Sequence, residues 1–387
     1  MMNKFIPLSV PNLKGRELEY VTNTITTEWV STGGPHVNEF EENIARYVKS
    51  EGAVSCQNGT SGIHIGLMLC GVQREDAVIV PALTFIAAVN PVKYIGAEPI
   101  FMDCDDSLCI DPVKLKRFCT EECEMRNERL ICKKSGRWIK AVVVVHVFGI
   151  MADMEAIMNI AESFHIKVLE DATEAIGTYY TEGRYKGRYA GTIGALGVYS
   201  FNGNKIITTG GGGMIVSDDE ELLNKAKHLT TQAKSDELYF IHDEIGYNYR
   251  MTNLQAALGL AQLEQLEDFI AVKARNYELY REKLKDISGL SLLNYQSNIR
   301  WNGWFYSLLC DTEYPMNRDE IIKHLSSKGI QVRPVWRLIH TQKPYLGSRD
   351  YLIEKAEYYL EHIVNLPCSS NLSEEDLLYV VECLKIQ

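Results

Sequence analysis

Apolar residues recur at three- and four-residue spacing between positions 16 and 50: Leu18, Val21 and Ile25, then Phe40, Ile44 and Val48. Gly33-Gly34-Pro35 interrupts them, so the pattern predicts helical sequence on either side of a turn. Beyond residue 50 the pattern changes to short apolar runs at 53–56, 77–80, 99–103, 141–145, 166–171, 198–201 and 214–217. The run Ala141-Val142-Val143-Val144-Val145 has the composition of a strand buried on both faces of a parallel sheet. Residues 111–137 are charged and helix-compatible, with Glu121-Glu122-Cys123-Glu124 read as a solvated face. After Thr252, a capping residue with Gln255 three positions on, the apolar stripe Leu254, Leu258, Leu266, Ile270, Tyr277, Tyr280 and Leu284 predicts one long helix ending at Gly289. The remainder mixes strand and helix patterns and predicts a smaller unit, giving domains at 1–250 and 251–387.

At 387 residues the chain is long enough for two cores, and 46% hydrophobic with 24% charged residues is ordinary for a globular protein. A net charge of −11 argues against a nucleic-acid surface, which needs clustered Lys and Arg. An anionic substrate therefore needs its own basic pocket. The ten cysteines lack paired Cys-x-x-Cys spacing, and no matching His or Cys pair follows Cys119 and Cys123. They read as reduced thiols in a cytoplasmic protein without a metal site. The start, Met1-Met2-Asn3-Lys4-Phe5-Ile6-Pro7, lacks a signal-like apolar run, and no stretch approaches the ~20 apolar residues of a membrane span.

The chemistry concentrates around one lysine. Lys205 lies between two apolar strands, and the glycines from 210 to 213 follow it, removing bulk where a flat ligand could approach. Burial there disfavours the ammonium and lowers its pKa, which is how a lysine becomes a nucleophile toward aldehydes. The alternative is a solvated lysine on a hairpin tip. Upstream, Gln57-Asn58-Gly59-Thr60-Ser61-Gly62 leads from a strand into an apolar helix pattern, where free first-turn amides suit a phosphate. The same residues also serve as a plain helix cap. Glu170-Asp171 ends an apolar strand where a carboxylate could face a ligand crevice, or cap a helix. His146, at the end of the valine run, either faces that crevice or is a satisfied structural histidine. His64 reads as a helix residue without a chemical role.

Together these segments resemble the DegT-type sugar-nucleotide aminotransferases, pyridoxal-phosphate enzymes of fold type I. Ser200, Phe201, Asn202, Lys205, Thr209 and Gly210 match the family's lysine segment. Where the family often has Gly-Glu-Gly-Gly, this chain has glycine at 211 in place of the glutamate. Thr60 and Ser61 match the phosphate cup, and Phe85 the aromatic that lies over the pyridine ring. Asp171 matches the carboxylate against the ring nitrogen, and Ser200 belongs to the same cofactor set. The family's Glu-Asp-Ala-Ala-Gln-Ala becomes Glu170-Asp171-Ala172-Thr173-Glu174-Ala175, placing Glu174 near the ring hydroxyl or in proton handling. Tyr247-Asn248-Tyr249-Arg250 resembles the segment whose asparagine reaches the neighbouring subunit's cofactor phosphate, implying a homodimer with shared active sites.

Trp29 and its glycine-rich loop resemble a sugar-site loop, or form an ordinary turn. Arg333, Trp336 and His340 resemble the segment closing over the nucleotide-sugar; Arg333 is a phosphate fork or a surface arginine. With His146 and Arg250, Trp29, Arg333 and His340 complete the substrate candidates. The fold implied is α/β, a mostly parallel seven-stranded sheet with a smaller α+β carboxyl-terminal domain. The activity implied is transfer of an amino group from glutamate to a nucleotide-linked keto-deoxy sugar, with UDP-4-keto-6-deoxy-N-acetylhexosamines closest in texture. The alternatives are a sugar dehydratase using the same cofactor, whose lysine position is a histidine, and a non-catalytic sugar-nucleotide-binding regulator.

Overall fold

A computed structural model describes residues 5–386. Met1 to Lys4 of the amino-terminal segment read above, and Gln387, lie outside the described residues. Every apolar run named above becomes a strand, because a sheet covered by helices on both faces needs apolar side chains in both directions. In spatial order the strands are Gly52–Cys56, Gly213–Ser217, Leu196–Ser200, Lys167–Asp171, Ile139–Val145, Ala77–Pro81, Glu98–Met102 and Arg349–Tyr351. The last six pair in parallel, whereas Gly213–Ser217 runs antiparallel to both neighbours.

The sheet has eight strands rather than the expected seven. The eighth, Arg349–Tyr351, reads Arg-Asp-Tyr and carries no apolar run. It is held where it is by polar contacts. Asp103, fully buried at the end of the neighbouring strand, accepts from the amides of Glu354, Lys355 and Ala356 and from the Lys114 ammonium at 2.7 Å. Burial alone would raise the Asp103 pKa, but these donors hold it below the ordinary carboxylate range.

A second sheet, antiparallel and ordered Leu290–Leu292, Tyr306–Cys310, Ile363–Leu366, Arg333–Pro334, gathers the carboxyl-terminal residues. Segments cross in both directions: Ile6 bridges Ile330, and Arg349–Tyr351 returns to the large sheet. The charged stretch after residue 111 also differs from expectation. Helix Pro112–Glu121 gives way to a hairpin, Cys123–Arg126 with Arg129–Cys132, turning through Asn127 and Glu128 at φ 50° and 60°. The stripe after Thr252 covers two helices, Asn253–Leu263 and Leu266–Leu284. The break falls where Gln262 and Gln265 both donate to buried Glu17 at 2.6 Å. No helix among the described residues is long and apolar enough to cross a membrane.

Candidate active site

The carboxyl ends of the parallel strands open on a cavity of about 340 Å³, the crevice where open α/β sheets place ligands. Lys205 enters it from the loop joining Leu196–Ser200 to Gly213–Ser217, and Asp171 from the end of its strand. Thr60, Phe85, Glu174 and Ser200 also line it. Six of the expected cofactor and catalytic positions therefore meet in one space.

The helix Gly59–Leu69 points its amino end at this cavity. Asn58 caps it, accepting from the Ser61 amide at 2.8 Å and the Ser61 hydroxyl at 3.0 Å. Ser61 is thereby committed to the cap and, unlike Thr60, does not line the cavity. Gly59 and Thr60 keep the first-turn amides that helix geometry leaves without an intrahelical acceptor. A Cβ on Gly59 would lie 2.9 Å from Thr173 and 3.1 Å from Ser200, so only glycine seats the helix against both strand ends.

The electrostatics centre on one amine among buried carboxyls. The Lys205 Nζ lies 3.5 Å from Oε1 of Glu174 and 4.5 Å from the centre of the Trp304 ring. Burial pushes Glu174 up to about 7, although Lys205 and the Phe148 amide pull the other way. Burial also raises Asp171, opposed by its bonds to Thr173 and by Lys205. One Asp171 oxygen accepts from the Thr173 amide at 3.1 Å. Phe85 is 53% exposed at this cavity, a large apolar face left uncovered.

His146 is placed elsewhere. It is fully buried and does not line the cavity; its Nε2 lies 2.8 Å from Oε2 of Glu170. Glu170 in turn accepts from the amides of Gly191, Ile193 and Gly194 at 2.8, 2.6 and 2.5 Å. Burial would raise the Glu170 pKa, but His146 and these amides hold it below the ordinary range. The structural reading of His146 is the one its surroundings fit.

The remaining substrate candidates lie outside this cavity within one chain. Trp29 is 60% exposed, with its carbonyl accepting from Asn253 at 2.6 Å. Arg250 lines a second cavity of about 310 Å³ with Thr32, Lys227 and Lys234. Asn248 is exposed beside it, its oxygen 3.4 Å from the Arg250 Nε. Arg333 is exposed on the smaller sheet, and the His340 ring packs near Phe101 at 6.0 Å. Sequence reasoning missed two wall residues, Trp304 and Phe305; the third, Trp336, belongs to the segment expected to close over the nucleotide-sugar. Trp304 and Phe305 stack at 4.0 Å and 9°. Their dense aromatic spacing in Trp301-Asn302-Gly303-Trp304-Phe305 was the available signal.

Comparison with known proteins agrees with this fold. A profile of the DegT/DnrJ/EryC1/StrS aminotransferase family matches residues 11–385. The chain is 37% identical to a GDP-perosamine synthase of Escherichia coli O157:H7, covering 98% of each. It is 35% identical to the GDP-perosamine synthase of Caulobacter vibrioides, covering 98% of this chain and 97% of the relative. A DegT DnrJ EryC1 StrS aminotransferase from Brucella abortus superimposes with a TM-score of 0.85 at 27% identity, over 95% of this chain and 94% of that one.

Proposed function

The chain belongs to the DegT/DnrJ/EryC1/StrS aminotransferase family, and on that premise we propose that it moves an amino group from glutamate to a nucleotide-linked keto-deoxy sugar for surface glycan synthesis. Aminotransferases of this family depend on pyridoxal phosphate. The donor set here suits that group: one amine, two buried carboxyls, first-turn helix amides and an uncovered aromatic face line a single cavity. That convergence is the observation that carries the reading.

When bound, the cofactor supplies an aldehyde for amines and a protonated ring that acts as an electron sink. Lys205 provides the amine that bonds it and, once released, takes and returns a proton as general base and acid. Asp171 would keep the ring nitrogen protonated, and the burial that raises its pKa would be offset by a cation against it. Thr60 and the first-turn amides would hold the phosphate, with Ser200 beside them, and Phe85 would give the ring an apolar face to lie against. Trp304, Phe305 and Trp336 form an apolar wall that limits water around the reacting atoms.

For the nucleotide, the names of the relatives favour GDP over the UDP expected from sequence texture. With glutamate as donor, the purified enzyme aminates a GDP-linked keto-deoxy sugar faster than a UDP-linked N-acetylhexosamine, read by product mass. Faster turnover of the UDP sugar contradicts that choice. Adding glutamate alone changes the visible spectrum of the bound cofactor; an unchanged spectrum favours the non-catalytic binder, and ammonia release without a donor favours the dehydratase.

The same reading makes the working unit a homodimer, with Asn248 and Arg250 completing the partner's site. Supporting it, the segment before Asn248 exposes Leu238, Tyr239, Phe240 and Ile245, each more than 70% accessible. The described cysteines are all free thiols, in keeping with a cytoplasmic location.

A further inference from the structure

The carboxyl of Glu174 is only 5% exposed, yet it is not buried at random. Its Oε2 accepts from the Phe148 amide at 2.8 Å, and its Oε1 faces Lys205. Phe148 makes that bond from a left-handed backbone, φ 54° and ψ 25°, which a bulky residue adopts only where its surroundings impose it. Those surroundings are visible. The Phe148 carbonyl accepts from the Trp301 indole at 3.0 Å, and its ring packs on Trp336 at 4.8 Å. Asn302, fully buried, donates to the Glu174 carbonyl at 2.8 Å and the Ile176 carbonyl at 3.0 Å. Both the backbone and one carboxyl oxygen of Glu174 are therefore fixed, leaving Oε1 for the lysine. The lysine's far side rests on the face of Trp304, a favourable place for a cation.

Three titratable groups face Glu174: Lys205, Asp171 from its own strand end, and Cys109 from the loop before helix Pro112–Glu121. Burial pushes the Cys109 thiol up to about 12, so it stays neutral. Asp171 repels a second negative charge, and Lys205 is the proton source within reach.

We propose that Glu174 is the proton partner of Lys205, storing the lysine's proton at Oε1 while the amine bonds and returning it when the freed amine settles against Trp304. The step is one proton moving from Nζ to Oε1, which discharges both groups and changes no other bond. A low-dielectric site makes the neutral pair accessible beside the charged one. The inference rests on Lys205 being the cofactor-bonding amine.

The full-length chain freed of cofactor tests it without turnover. Acetic anhydride labels only neutral amines, so the Lys205 peptide is quantified by mass spectrometry across the pH range. The expected wild-type labelling curve has a step near pH 7, where Glu174 and the amine fall to one shared proton. Glu174→Gln loses that step. Glu174→Asp, which retains a carboxyl, keeps it. A wild-type curve without the step, or a Glu174→Gln curve that keeps it, overturns the proposal; the wild-type curve decides alone if the variant does not fold. Failure of pyridoxal phosphate to attach to Lys205 instead overturns the functional reading on which this rests.

Discussion

Lys205→Ala leaves a folded chain with less than about one part in 10⁴ of wild-type turnover, the upper end of what a positioned acid–base group contributes. Folding survives because the lysine's partner can neutralise itself: Glu174, already raised to about 7 by burial, takes up a proton once the ammonium is gone. Far-UV circular dichroism and turnover with glutamate check the two halves. The variant also loses the visible absorption of attached cofactor. Its inactivity is not the end of its use. If Asn248 completes the partner's site, mixing Lys205→Ala chains with Asn248→Ala chains rebuilds one intact site in each mixed dimer. Random pairing then restores about a quarter of wild-type activity. No recovery in subunit-exchange conditions contradicts the shared site.

Asp171→Asn lowers turnover by about 10²–10³, the size of effect that follows removal of one preorganised electrostatic partner. The change is isosteric, and the amide oxygen still accepts from the Thr173 backbone N–H that Asp171 now holds at 3.1 Å. What disappears is the negative charge. Attachment to Lys205 is retained, so the spectrum and the rate separate: Lys205→Ala loses both, Asp171→Asn mainly the second. Stopped-flow measurement of the glutamate half-reaction reads the difference directly. Turnover within about threefold of wild type would remove Asp171 from its proposed role.

The parallel strands were legible in the sequence because burial on both faces forces an unbroken apolar run, as in Val142, Val143 and Val144. Arg349–Tyr351 was not, since its place is fixed by the polar grip of Asp103 on the segment that follows it. The hairpin after Glu121 was hidden for a related reason: two of its residues, Glu124 and Arg126, are as compatible with a helix as with a strand. Lys205, Asp171 and Thr60 stood out because each breaks a local expectation, a cation, an anion and a small polar residue at the ends of apolar runs. His146 breaks the same rule, yet its ring is absorbed by Glu170 beneath the cavity. Only the side-chain direction distinguishes the two cases. Trp304 and Phe305 carried no such contrast, because an aromatic pair that walls a cavity and one that fills a core read identically along a chain.

The account depends on one bond-forming amine in the cavity. Borohydride reduction of the wild-type chain in the presence of pyridoxal phosphate, followed by peptide mass spectrometry, tests it most directly. The cofactor's mass is expected on the peptide carrying Lys205 and on no other; its absence there, or its appearance on a different lysine, contradicts the account.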